Sequence, residues 1–302
     1  MAVVIAFLAN ILVAIAKSIA AVLTGSASML AEAAHSWADA GNEIFLLIAD
    51  RKAVKPADAQ HPLGFGREAW VWSLFAAVGL FTAGAVVSIQ HGVQELFDPE
   101  PASDFGIAYI VLAIAFVLEG ISLAQSVVQA RRKARAFERS TIDYALNSSN
   151  ATLRAVLAED SAALAGLLVA FAGIALHQAT GNAVWDALGS ILIGLLLGVV
   201  AVVLINRNRQ FLVGATPPKA NRSAAGNQLL AQPEIDRVTY LHLEFVGPGR
   251  LFLVAAVDLV GNDGEEEVAL TLRRLELQIE KSDLIEDAVL TLSVSDEPSL
   301  TF

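Results

Sequence analysis

The sequence predicts an α-helical membrane protein, with six transmembrane helices followed by a small cytoplasmic αββαβ domain. Three observations carry that fold class. The 302 residues are 55% hydrophobic and only 17% charged, with a mean hydropathy of +0.58, where a soluble domain carries roughly 25% charge. Six stretches are apolar over the length that crosses a bilayer, about 20 residues. The net charge of −11 is also unevenly placed: residues 1–224 hold 15 Lys/Arg and 16 Asp/Glu, whereas residues 225–302 hold 5 and 15.

The six spans fall at 2–24, 28–50, 68–97, 105–130, 148–178 and 184–206. The third has an uncharged run from Ala69 to Gln90, the fifth from Ser161 to Ala183 and the sixth from Ala187 to Ile205. Orientation follows from the basic residues of the short loops. Arg51, Lys52, Lys55 and Arg67 follow span two; Arg131, Arg132, Lys133, Arg135 and Arg139 follow span four; Arg207 and Arg209 follow span six. The alternate loops, Gly25–Ser28, Asp98–Asp104 and Gln178–Ala183, contain no Lys or Arg. Both termini are therefore expected on the cytoplasmic side. The first apolar stretch lacks a basic leader, which suits a bacterial inner membrane.

Residues 1–213 form the expected transmembrane domain, 214–222 a linker and 223–302 the cytoplasmic domain. The linker reads Gly-Ala-Thr-Pro-Pro-Lys-Ala-Asn-Arg. Beyond a short helix near 223–232, Arg237–Val246 and Arg250–Val260 read as strands joined at Gly247-Pro248-Gly249. Glu265–Lys281 has helical apolar spacing and opens on three glutamates, where the helix dipole favours negative charge. Ala288–Val294 reads as a third strand. A domain of about 80 residues is marginal alone, and dimerisation buries more of it.

Composition also excludes several functions. Disorder needs low hydrophobicity. With no cysteine, there is no disulfide scaffold, iron–sulfur cluster or cysteine zinc site. An acidic tail repels phosphates, so a nucleic-acid partner is disfavoured. No Ser-His-Asp order, phosphate-cradling loop or HExxH pattern supports an enzyme.

Charges inside a membrane are costly, roughly 2.5–3.5 kcal/mol each at the bilayer centre on insertion scales, so they are where function is sought. Span two carries Glu32, His35, Asp39, Asn42 and Glu43. His35 and Asp39 are i and i+4 and share a face that Asn42 and Glu43 extend. Imidazole with carboxylate suits zinc and other first-row divalent cations; the alternative is a polar cluster that only joins helices. Span five begins its apolar run at Glu159-Asp160. Adjacent residues point about 100° apart on a helix, so one of the two fits a given face; Asp160 is the expected site acid and Glu159 a further candidate or a partner for Arg154. Glu119 interrupts span four as a ligand, proton carrier or tether. Lys17 reads as snorkelling or pairing with an acid, and Asp186 as capping the first turn of its own helix.

The run Ser26-Ala-Ser-Met-Leu-Ala-Glu-Ala-Ala-His35-Ser-Trp-Ala-Asp39-Ala-Gly-Asn-Glu43 resembles the second helix of cation diffusion facilitators. His61-Pro-Leu-Gly-Phe-Gly66-Arg-Glu resembles that family's loop entering helix three. The order of spans, linker and tail matches as well, over nearly the whole chain. The resemblance implies a homodimeric efflux transporter of Zn2+ or a related divalent ion, driven by inward proton flow. It implies His35, Asp39 and Asp160 as metal ligands. Val156 stands where the family has a second histidine, and the surrounding sequence is similar to the zinc transporter nine-type subgroup. Glu159, Glu119, Asn42 and water are the fourth-ligand candidates. Asp58 and His61 match an accessory loop site, although Phe65 replaces its second histidine. His242, two residues from Glu244, lies near a tail metal position of some members.

The expected function is Zn2+/H+ antiport. A second reading exports Fe2+, Mn2+ or Co2+, and a reading of another class is a membrane-anchored metal sensor or scaffold. No cofactor is expected beyond the transported metal and protons; the expected partners are a second copy of the chain, the lipid bilayer and divalent metal ions.

Overall fold

The computed structural model describes residues 2–99, 104–136 and 140–302. Arg139 of the basic loop and residues 100–103 of an alternate loop lie outside them. The chain divides into two compact units, Met1–Asp50 with Trp70–Arg209, and Arg51–Ala69 with Gln210–Phe302.

The first unit is helical: α1 (Ala2–Thr24), α2 (Ala27–Ala53, its last residues in the second unit), α3 (Glu68–Ala76), α4 (Thr82–Phe97), α5 (Phe105–Ala136), α6 (Thr141–Asn147), α7 (Ala151–Thr180) and α8 (Val184–Leu212). A π-helical turn, Ala77–Phe81, joins α3 to α4, so Glu68–Phe97 is one rod with one residue's extra winding. By length and composition, Glu68–Phe97, Phe105–Arg135, Ala151–Thr180 and Val184–Leu212 qualify as membrane spans. The apolar stretch Asn10–Thr24 is shorter. Helix α2 is long enough at 27 residues, but Glu32, Asp39 and Glu43 interrupt its apolar run.

Helix ends differ from the expected ones for local reasons. Span five starts at Ala151 rather than 148, because Asn150 caps it: the Asn150 side chain accepts from the Leu153 amide at 2.9 Å. A separate short helix, α6, precedes it, capped by Ser140. Asp186 does not cap its own helix. Its carboxylate accepts from the backbone amides of Ala27 at 2.8 Å and Ser28 at 3.2 Å, serving the start of α2. Spacing along α8 placed Asp186 in a first turn; only packing supplies α2's free amides beside it.

Small residues let these helices pack closely. One buried cluster joins Ala20 and Ala21 of α1, Met29 and Ala31 of α2, Ala108 and Leu112 of α5, Leu167 and Ile174 of α7 and Ile193 of α8. Another joins Leu46, Phe81, Ala155, Ala162, Leu197 and Leu204. At one end, Arg154 donates to Ser148 O and Asn208 Oδ1, and Asn208 donates to Ser73 Oγ at 2.9 Å. Arg154 is thereby engaged away from Glu159.

The second unit holds α9 (Lys219–Leu230), β1 (Ile235–Gly247), β2 (Arg250–Leu259), α10 (Glu265–Ile279) and β3 (Ile285–Leu292). The sheet order is β1-β2-β3. Strands β1 and β2 are antiparallel with Leu243 opposite Leu253; β2 and β3 are parallel with Leu253 opposite Ala288. Leu229 of α9 and Leu275 of α10 bury against Leu241, Leu243, Leu253 and Val257. Helix α9 begins within the expected linker, after Pro218, whose fixed φ suits a helix start.

The loop Arg51–Ala69 packs into this unit, which its sequence does not announce. A β-carbon on Gly66 would stand 2.6 Å from Gly247 Cα and from Val246 O, so the approach to the β1–β2 hairpin needs glycine. Next to it, Arg67 Nη2 donates to Glu244 Oε1 at 2.5 Å.

Candidate metal centre

The candidate centre lies between α2, α5 and α7. Helical spacing stacks Glu32, His35, Asp39 and Asn42 along one face of α2, and all four are buried. Glu159 and Asp160 of α7 are buried as well.

His35 Nε2 lies 3.4 Å from Asp39 Oδ1, without the alignment of a hydrogen bond. Both ring nitrogens of His35, together with Asp39 Oδ1, are buried without hydrogen-bond partners. The Asp39 and Glu159 carboxyl groups lie beside one another. Asn42 Nδ2 donates to Glu159 Oε2 at 2.7 Å. Two carboxyl groups so close repel unless a proton or a cation lies between them. Buried nitrogens and oxygens with spare lone pairs beside such a pair are a donor set suited to a divalent cation.

Glu159 and Asp160 face different ways. Asp160 Oδ2 accepts from Ser122 Oγ at 3.0 Å and Ser126 Oγ at 3.2 Å, both on α5. The contact with α2 is made by Glu159. Glu119 lies one turn before Ser122 on α5, partly buried. Among the described residues, no three His, Asp or Glu side chains stand close enough to form a metal site as placed. His35, Asp39, Asn42 and Glu159 are brought together; Asp160 and Glu119 border them from α5's side.

Sequence reasoning missed Ser122 and Ser126. Their signal was present: 119, 122 and 126 form a polar stripe at helical spacing in an apolar span. Glu43 is fixed by Asn10, whose Nδ2 donates to Glu43 Oε1 at 2.7 Å. A cavity of about 240 Å³ is lined by Asp50, Gln129, Lys133, Asn150, Thr152 and Val156 among others. Val156 sits one turn before Asp160 on α7.

The accessory candidates do not form one site. Asp58 Oδ1 lies 3.0 Å from His61 Nδ1 and accepts from the backbone amides of Gln60 and His61. This hydrogen bonding, led by the His61 side chain, holds the Asp58 carboxyl below the usual carboxylate range. The His61 ring stacks on Phe65 at 4.2 Å. His242 belongs to a different pair, its Nε2 lying 3.6 Å from Glu244 Oε2, while Arg67 holds the other oxygen.

The sequence profile of the cation efflux transmembrane domain matches residues 3–213. Metal tolerance protein C4 of Arabidopsis thaliana is 37% identical over 234 residues, 77% of this chain and 51% of that protein. Human "Proton-coupled zinc antiporter SLC30A9, mitochondrial" is 35% identical over 245 residues, 81% of this chain and 43% of that protein. Zinc transporter ZitB of Pectobacterium atrosepticum is 25% identical over 288 residues, 95% of this chain and 83% of that protein. The chain thus spans about half the length of the first two.

Proposed function

The chain belongs to the cation diffusion facilitator family, and on that premise we propose that it exports divalent metal cations, Zn2+ first, in exchange for protons. The observation that carries this reading is the Asn42–Glu159 hydrogen bond between α2 and α7 beside the unpartnered His35 ring and Asp39 Oδ1, all buried. Relatives named as a proton-coupled zinc antiporter and a zinc transporter support it.

Ligands must be deprotonated to hold metal. Protons and cations therefore compete for the same ring nitrogens and carboxylate oxygens. Open to the cytoplasm, the site exchanges protons for metal; open to the other side, it exchanges metal for protons. His35, Asp39 and Asp160 are the proposed ligands, joined by Glu159. Ser122 and Ser126 hold Asp160 Oδ2, so Asp160 contributes either through Oδ1 or by releasing these bonds. The oxygen-rich set supports Fe2+, Mn2+ and Co2+ as competing cargo.

The proposed architecture has six spans, α1, α2, the α3–α4 rod, α5, α7 and α8. Basic loops and both termini face the cytoplasm of a bacterial inner membrane, and the tail pairs two copies into a homodimer. Asp58, His61 and His242 are weak accessory positions in this reading. A sensor that moves nothing has no use for buried acids at mid-helix.

The test is flux in proteoliposomes under an imposed pH gradient, with Zn2+, Fe2+, Mn2+ and Co2+ in parallel. Gradient-driven flux lost in Asp39→Ala and Asp160→Ala supports transporter and site together. Native flux in both variants removes the site assignment, and no flux of any ion from folded protein removes the transporter.

A further inference from the structure

One buried pair has no task in the site described so far. Lys17 of α1 and Glu32 of α2 are 1% and 0% exposed, and Lys17 Nζ donates to Glu32 Oε2 at 2.8 Å. Burying an ion pair costs several kcal/mol per ion in desolvation, and apolar side chains of the same size often hold two elements together as well or better. Joining α1 to α2 is therefore a poor reason for the pair to exist.

Its position supplies a better one. Glu32 precedes His35 by three residues, so both project from one face of α2. Opposite them stands Gly166 of α7. A β-carbon on Gly166 would lie 2.3 Å from Glu32 Oε1 and 3.7 Å from His35 Nδ1. The carboxylate oxygen and the ring nitrogen thus converge on the same bare stretch of α7. Neither atom has a hydrogen-bond partner. The other edge of the ring, Nε2, is turned towards Asp39.

A histidine that binds metal through Nε2 keeps its proton on Nδ1, and an acceptor at Nδ1 fixes both tautomer and ring orientation. Glu32 is the carboxylate on that side of the ring. Lys17 occupies Oε2 and leaves Oε1 free to accept. The ammonium also offsets the charge of Glu32, so the pair adds no net charge beside Asp39 and Glu159.

We propose that Glu32, held in place by Lys17, is a positioning residue for His35: its Oε1 accepts the Nδ1 proton and keeps Nε2 facing Asp39 and the incoming cation. Gly166 is the room that permits this, since any side chain there displaces the carboxylate. Neither Lys17 nor Glu32 touches the cargo. The inference rests on the reading of His35 and Asp39 as ligands.

The test uses the full chain in nanodiscs, Zn2+ as the probe, calorimetric titration, and NMR of the His35 ring nitrogens. Lys17→Leu combined with Glu32→Leu removes both charges, leaving no lone ion buried. The expected result is a Zn2+ Kd about 10- to 100-fold weaker, with a cation-free His35 ring that no longer keeps its proton on Nδ1 alone. An unchanged Kd with an unchanged tautomer overturns the proposal; a pair that only tethers helices lowers the melting temperature and moves neither readout. Gly166→Ala keeps every charge and pushes only the Glu32 carboxylate aside. It is expected to move both readouts in the same direction, and it decides the question if the double variant does not fold. Asp39→Ala separates the two readings. Intact Zn2+ binding in Asp39→Ala removes the site itself, whereas lost binding there beside wild-type readouts in the double variant removes only the role of Glu32.

Discussion

Asn42 Nδ2 donates to Glu159 Oε2 at 2.7 Å, which fixes the Glu159 carboxyl against Asp39 across the α2–α7 interface. Glu159 is therefore the α7 carboxyl group that meets α2. Replacing a ligand differs from replacing the group that orients it. Glu159→Gln is expected to reduce Zn2+ flux at least as far as the loss of an orienting residue does, about 10- to 100-fold, and Asn42→Ala is expected to fall short of that. Initial rates in proteoliposomes with an imposed pH gradient check the order; equal rates in Glu159→Gln and wild type remove Glu159 from the site.

Asp186 holds the start of α2 from another helix, through the Ala27 and Ser28 amides. Losing a capping acceptor costs about 0.5–2 kcal/mol, and here two buried amides lose theirs together. Asp186→Ala should lower the melting temperature in detergent, while Zn2+ affinity of the folded fraction stays near wild type. A large loss of affinity without a loss of stability contradicts a capping role.

Gly66 and Arg67 bring the α2–α3 loop to the tail hairpin, through Gly247 and Glu244. Gly66→Ala puts a β-carbon where the hairpin backbone already stands. Hydrogen exchange in segment 51–69 and at residues 244–250 is predicted to speed up in Gly66→Ala. Arg67→Ala should do so more weakly, because an exposed ion pair contributes only about 0–1 kcal/mol. Unchanged protection in both places contradicts the docking.

Asp58 offers a pH test outside the membrane. Its carboxyl is held low by the His61 side chain and by two backbone amides. A depressed carboxylate contributes stability above its unfolded value and loses it as pH falls through the folded one. The amides of Gln60 and His61 should stay protected at an ordinary aspartate pKa of about 3.9 and open only in stronger acid. Opening at the ordinary value shows that the turn does not depend on the ionised Asp58. In Asp58→Ala the same amides should be open at neutral pH.

The α2 stripe was legible because charged residues in an apolar run stand out, and helical spacing alone puts His35, Asp39 and Asn42 on one face. The choice between Glu159 and Asp160 was not legible. The two differ by one step around α7, and which faces α2 depends on how α7 is rotated against two neighbours. The same limit hid the Asp186 cap, whose donors lie more than 150 residues away in sequence, and the docking of Gly66 on Gly247. Spacing reports the faces of one element; it does not report what stands opposite them.

Ser122 and Ser126 give the sharpest sign test of Asp160. Both donate to Asp160 Oδ2. If Asp160 joins His35 and Asp39 around the cation through Oδ2, it gives up these bonds first. A hydrogen bond to a charged group contributes about 1.5–3 kcal/mol, so removing them lowers the cost of that step. Ser122→Ala with Ser126→Ala should then tighten Zn2+ binding by roughly tenfold or more, by the same bond strength. If the serines instead hold Asp160 in its working position, the same double variant weakens binding. Calorimetric Zn2+ titration of the folded variant reads the sign directly: a tighter Kd shows Asp160 leaving the serines to bind, a weaker Kd shows them holding it in its working position, and an unchanged Kd assigns the working carboxylate on α7 to Glu159.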